Sequence, residues 1–96
     1  MNKRIANKVI NRDHGCIYCG STRYHIHHII YKSHSGIDDE RNLVCLCKTH
    51  HDLVHTNEKY YRDELLERQR GIYGSININD LKRKDRYENF KYSKFR

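Results

Sequence analysis

No stretch of the 96 residues is apolar over the roughly 20 consecutive positions a membrane span requires, and no succession of charged, apolar and small residues resembles a signal peptide. The expected setting is therefore the cytoplasm, without a membrane partner. There is no nucleotide-binding glycine loop and no internal repeat, which removes phosphate-cradling NTPases and solenoids from consideration. Apolar residues are also scarce, at 36%. A single small domain of that composition buries too little surface to stand without a staple. Only four cysteines are present, at positions 16, 19, 45 and 47. In a reducing compartment a Cys-x2-Cys pair more often holds a metal than forms a disulfide, so zinc is the expected staple.

Cys16-Ile17-Tyr18-Cys19-Gly20 reads as a knuckle, two thiolates on a tight turn with Gly20 letting the backbone bend back. Cys47-Lys48-Thr49-His50 repeats the interval, and together Cys16, Cys19, Cys47 and His50 compose a Cys3His structural zinc site. Assigning His50 to zinc leaves the next histidine free for other work. Such a site contributes on the order of 10 kcal/mol of apparent binding free energy, comparable with the whole stability of a domain.

A second cluster is spelled by histidines. His51 and His55 are four apart, so on a helix their rings share one face and can grip one ion. A third ligand can come from the run Tyr24–Ile30, whose alternating, β-branched character is that of a strand, and His27 is the candidate. His28 is then left for chemistry. Three protein nitrogens leave coordination positions open, the mark of a catalytic ion. Adjacent residues of a regular strand face opposite ways, so the strand is expected to end or bulge at His27-His28.

Taken in order, Cys16-x2-Cys19, His27-His28-Ile29, Asn42-Leu43-Val44-Cys45-Leu46-Cys47, His50-His51 and His55 resemble the HNH endonuclease family. The resemblance covers a little under half the chain. It implies an α+β fold, a small ββα-metal core with a structural zinc site, flanked here by an N-terminal helix and a C-terminal helical extension. It further implies metal-dependent hydrolysis of DNA phosphodiesters, leaving 5′ phosphate and 3′ hydroxyl. By the same resemblance His28 is the general base, His51 and His55 are metal ligands, His27 is a further ligand, and Asn42 braces the loop or reaches the metal. Cys45 fills an apolar place of the pattern and is read as core. Where the family often has a second Cys-x2-Cys this chain has His50, and where it commonly has Pro and Gly-Gly it has Tyr31 and the single Gly36. Nitrogen-rich ligation suits Mn, Ni, Co or Zn, and Mg less because Mg prefers oxygens. Small members of this kind resemble phage or prophage nucleases, which implies a bacterial or phage-infected cell and, as partners, DNA and phage packaging or recombination proteins, with the chain a monomer or homodimer.

Around this core (14–57) the rest is expected to form one domain over 1–81. Ile5, Ala6, Val9 and Ile10 recur at helical spacing between Asn2 and Asp13, with Lys3, Arg4, Lys8 and Arg12 as a basic face available to DNA. His14-Gly15 ends this helix. Residues 31–41 form a polar loop joining two strands, in which His34 is a loop residue; His25 is structural or DNA-facing. After His55 a helix is expected to Arg70, with Asn57 as cap, Gly71 as stop and Tyr61 and Leu65 as an apolar stripe. A further short helix is expected to begin at Asn79 or Asp80. Residues 82–96 interleave seven Lys/Arg with aromatic residues, a tail that either orders on nucleic acid or is solvated. The net charge of +7 sits at the two ends, around a nearly neutral centre. That distribution suits a protein holding phosphates on both sides of its site, and Lys32, Arg41 and Lys48 are the candidate contacts. Two other classes fit parts of the pattern: a zinc-stabilised DNA-binding module without activity, and a phage accessory or adaptor protein.

Overall fold

The computed structural model describes residues 1–83; the basic aromatic tail expected from 82 onward lies outside them after Arg83. Helix α1 (Lys3–Asp13) starts where the Asn2 side chain accepts from the Arg4 N–H at 2.7 Å and ends at His14, whose φ of 58° is left-handed. Gly15 follows at φ 121°, where a Cβ would collide with the Ser21 carbonyl. Only glycine lets the chain fold this closely into the knuckle.

Strand β1 (His25–His28) pairs antiparallel with β2 (Leu43–Leu46) in an unbroken register, His25↔Leu46, Ile26↔Cys45, His27↔Val44 and His28↔Leu43. The strands are shorter than the runs that predicted them. No bulge interrupts the pairs; β1 ends at His28, so period-two alternation sends His27 and His28 to opposite faces. On one face Leu43 and Cys45 pack with Val9 of α1, flanked by Tyr24 and Ile26. On the other, Val44 and Leu46 meet Val54, Leu65, Leu66, Ile76 and Leu81. Cys45 is fully buried, as core, and burial pushes its thiol up to about 11.

Helix α2 (Lys48–Thr56) begins at Cys47 and α3 (Glu58–Tyr73) begins at Asn57, whose side chain accepts from the Tyr60 N–H. The stop expected at Gly71 lies three residues later: α3 runs on to Tyr73 and Gly74 takes the cap at φ 82°. The extra turn brings Tyr73 to Arg12 and Glu40. The expected late helix is a 3₁₀ turn, Ile78–Leu81, with Asn77 as its cap. It returns the chain to the loop, where the Ile37 N–H donates to Leu81 O and the Arg83 N–H to Ser35 O. The loop itself contains two 3₁₀ turns, Lys32–His34 and Glu40–Asn42.

Arg12 departs from its expected place on a DNA-facing surface. It points inward, donating to Glu40 O, Tyr73 Oη, Leu43 O and the Asp13 carboxylate. Asp13 also accepts from the Cys45 N–H and from Arg68. Burial lowers the pKa of Arg12 and raises that of Asp13, but their mutual pairing wins, holding the guanidinium above and the carboxylate below their ordinary values. This buried ion network ties α1 to β2 and α3.

Candidate metal centres

The knuckle and the first turn of α2 bring Cys16, Cys19, Cys47 and His50 together, with their ligand atoms within 4.8 Å of one another. The sulfurs of Cys19 and Cys47 are 3.7 Å apart, and His50 Nδ1 lies 3.1 Å from Cys47 Sγ and 3.6 Å from Cys16 Sγ. A tetrahedral zinc with Zn–S bonds of about 2.3 Å has S···S edges of about 3.8 Å, so the donor set fits that ion in type and spacing. Burial opposes ionisation of Cys16, but the backbone N–H groups of Cys47, Tyr18 and Cys19 aim at its sulfur and bring the thiol down to about 6. Cys16 is thus prepared as a thiolate, whereas at Cys19 the Ser21 backbone N–H favours the thiolate but is outweighed by desolvation and the neighbouring sulfurs, which raise the thiol. All four ligands are protein atoms, which is the closed set of a structural ion.

One residue further along α2 the second cluster starts. His27 from β1 and His51 and His55 from α2 also place their ligand atoms within 4.8 Å of one another. The Nε2 atoms of His51 and His55 are 3.2 Å apart, and the His27 ring lies 5.2 Å from that of His51 and 5.9 Å from that of His55. His27 is 5% exposed. Burial first, then the charges its neighbours would carry, lower its pKa to about 3, so this imidazole stays neutral. His51 is lowered by the same causes. Convergent imidazoles can offer lone pairs to one point, which a divalent cation would satisfy. A cavity of about 310 Å³ adjoins the trio through His27, its lining including Tyr31, Glu58 and Arg62.

His28 is not part of the trio. From the opposite face of β1 its Nε2 donates to Asp38 Oδ1 at 2.7 Å; that hydrogen bond is the main cause of the lowered Asp38 pKa. Asn42 is fully buried. Its Oδ1 accepts from the Ile30 N–H, and its Nδ2 donates to Ile30 O and Ile37 O at 3.1 and 3.0 Å. Its side chain is committed to the loop backbone.

Of the expected phosphate contacts, Lys32 is exposed with Asp38 4.0 Å away, Lys48 is exposed and pairs with Asp52, and Arg41 is gripped by Asp39 through Nε and Nη2. His34 stacks on Tyr31, as a loop residue. His25 lies with its ring 4.5 Å from that of His51 but outside the trio. Three residues here escaped sequence reasoning: Asp38 on His28, and Tyr31 and Glu58 on His55. A carboxylate three residues after His55 was a local signal, but the helix break between them obscured it.

A two-stranded hairpin and a helix, clasping one closed thiolate site and one open imidazole site, define the ββα-metal class. Residues 16–57 match the family model described as HNH endonuclease. No curated protein and no solved structure matches the chain. The family match supports a nuclease-type function with DNA as the plausible partner. No helix among the described residues is long and apolar enough to cross a membrane.

Proposed function

We propose that the protein is a metal-dependent DNA endonuclease that hydrolyses phosphodiester bonds with His28 as general base, leaving 5′ phosphate and 3′ hydroxyl. The observation that carries this reading is the convergence of His27, His51 and His55 on one point, with open positions beside it. A divalent ion held there, Mn, Ni, Co, Zn or Mg, supplies Lewis-acid stabilisation of the charge that develops on phosphate and leaving oxygens.

The chain's own residues do the rest. The Asp38 carboxylate only accepts, so the His28 proton resides on Nε2 and the lone pair is left on Nδ1. That nitrogen takes a proton from the attacking water. Asn42 holds the loop that carries Asp38. Lys32 and Lys48 contact flanking phosphates, and Arg41 joins them by exchanging Asp39 for a phosphate. The domain over 1–81 performs the cleavage and the basic tail adds affinity.

The test is relaxation of supercoiled plasmid across Mg, Mn, Co, Ni and Zn, with His28→Ala alongside at matched zinc content. Cleavage by the wild type and a drop of about 10²–10⁴-fold in the variant are expected. Salt-dependent DNA binding without cleavage under any metal would replace this reading with that of a zinc-stabilised binding module.

A further inference from the structure

We infer that Glu58 and Tyr31 are the outer partners of His55, fixing its tautomer and ring orientation and thereby setting the affinity of the tri-histidine site for its divalent ion. The inference rests on the reading of His27, His51 and His55 as ligands. It adds two positioning residues that neither the motif nor its spacing specifies.

His55 Nδ1 lies 3.4 Å from Glu58 Oε1 and 3.2 Å from Tyr31 Oη, while its other nitrogen, Nε2, faces His51 Nε2 at 3.2 Å. An ionised carboxylate has no proton to give, so the hydrogen belongs to Nδ1 and Nε2 is left as a bare lone pair. That is the tautomer a metal needs from the nitrogen that faces the cluster. The Tyr31 hydroxyl belongs to the same triangle. Its oxygen, 3.2 Å from Nδ1, is a second acceptor within reach of the Nδ1 hydrogen.

The backbone places Glu58 there for a reason. Asn57 breaks the chain between α2 and α3, and Glu58 is the first residue of α3, where the helix dipole favours a negative charge. Tyr31 arrives from the opposite direction, directly after Ile30, both of whose backbone polar groups Asn42 grips. The other two ligands lack an equivalent carboxylate among the described residues. Asp52 Oδ1 stands farther off, 3.8 Å from His51 Nδ1, with its other oxygen on Lys48 at 3.1 Å, and the His27 ring packs against those of Tyr31, His51 and His55. His55 is the ligand with a built outer shell. Loss of such a partner characteristically weakens metal binding by about 10–100-fold.

The experiment is isothermal titration of Co(II) into the zinc-loaded full chain, watching the thiolate-to-cobalt absorption to verify that zinc keeps its own site. Glu58→Gln is expected to weaken cobalt binding by about 10–100-fold, with Glu58→Asp between it and the wild type and Tyr31→Phe losing several-fold. The double variant should lose less than the two changes summed, because both act on one nitrogen. Circular dichroism of each variant before cobalt is added checks that the helices persist, and Tyr31→Phe serves if Glu58→Gln does not fold. Wild-type affinity in Glu58→Gln overturns the inference and leaves the nuclease reading standing. Loss in Glu58→Gln with none in Tyr31→Phe overturns the paired assignment, leaving Glu58 alone on Nδ1. A wild type that takes up no cobalt beside its zinc overturns the tri-histidine reading itself, and this inference with it.

Discussion

His50 and His51 are neighbours on the same turn of α2, yet they serve different clusters. Successive residues on a helix point about 100° apart, so His50 faces the knuckle and His51 faces the sheet. The first cluster gathers three sulfurs and one nitrogen and leaves no position open; the second gathers three nitrogens on the side where a cavity opens. What differs is the role of the fold. An ion in the first cluster would support the fold, whereas in the second the fold, already held, would support an ion. An ion held by His50 would therefore set the angle at which His51 is presented.

The largest effect should come from the closed cluster. Cys47→Ser, or prolonged exposure to a strong chelator, is expected to remove stabilisation on the order of 10 kcal/mol, enough to unfold the domain, read as loss of helical circular dichroism. His51→Ala should do the reverse. Its partly exposed ring supports little core, so zinc content and melting temperature stay near those of the wild type, while cleavage falls on the order of a thousandfold through lost charge stabilisation. If His51→Ala also unfolds the protein, the two clusters are not separable as described.

Asn42→Ala tests the brace of the loop between the strands. Each buried backbone group left unpaired costs about 1–3 kcal/mol, and Ile30 loses partners at both its N–H and its C=O, so denaturant unfolding should show a loss of about 3 kcal/mol with zinc still bound. Asp13 gives the pH dependence. Burial raises its pKa, but Arg12, the Cys45 N–H and Arg68 together hold it below the ordinary 3.8. A folded value beneath the unfolded one means that the carboxylate contributes stability in full above about pH 4, and that this is lost as pH falls through the folded value. The gap in stability between wild type and Asp13→Asn should accordingly be constant near neutrality and narrow below about pH 4, measured by denaturant titrations at each pH.

Both ligand sets were legible in the sequence because they are written in short intervals: Cys-x2-Cys, Cys-x2-His and His-x3-His survive any error in where a strand or helix ends. Boundaries were less legible. The apolar run at 24–30 exceeds the paired strand because Ile29 and Ile30 are buried beyond the hairpin, in the larger core. Gly71 sits mid-helix because Tyr73, one turn from the expected stop, has partners 33 and 61 residues away. The same distance hid Arg12: in sequence it is one more basic residue on an amphipathic helix, and only the register of α1 against β2 turns it inward. Asp38 and Tyr31 were hidden for a similar reason, since loop residues have no period from which a partner can be read.

That buried arginine has a consequence for the order in which the molecule assembles. The zinc ligands Cys16 and His50 close a loop of 34 residues, and Arg12 and Tyr73 close one of 61 around it. The extra closure entropy of the wider ring is only about 0.5 kcal/mol, so sequence of synthesis decides more than cost. Once residue 55 has left the ribosome every ligand of both ions exists, whereas Arg68 and Tyr73 do not. The inner ring can therefore be fastened before the far end of α3 exists to close the outer one.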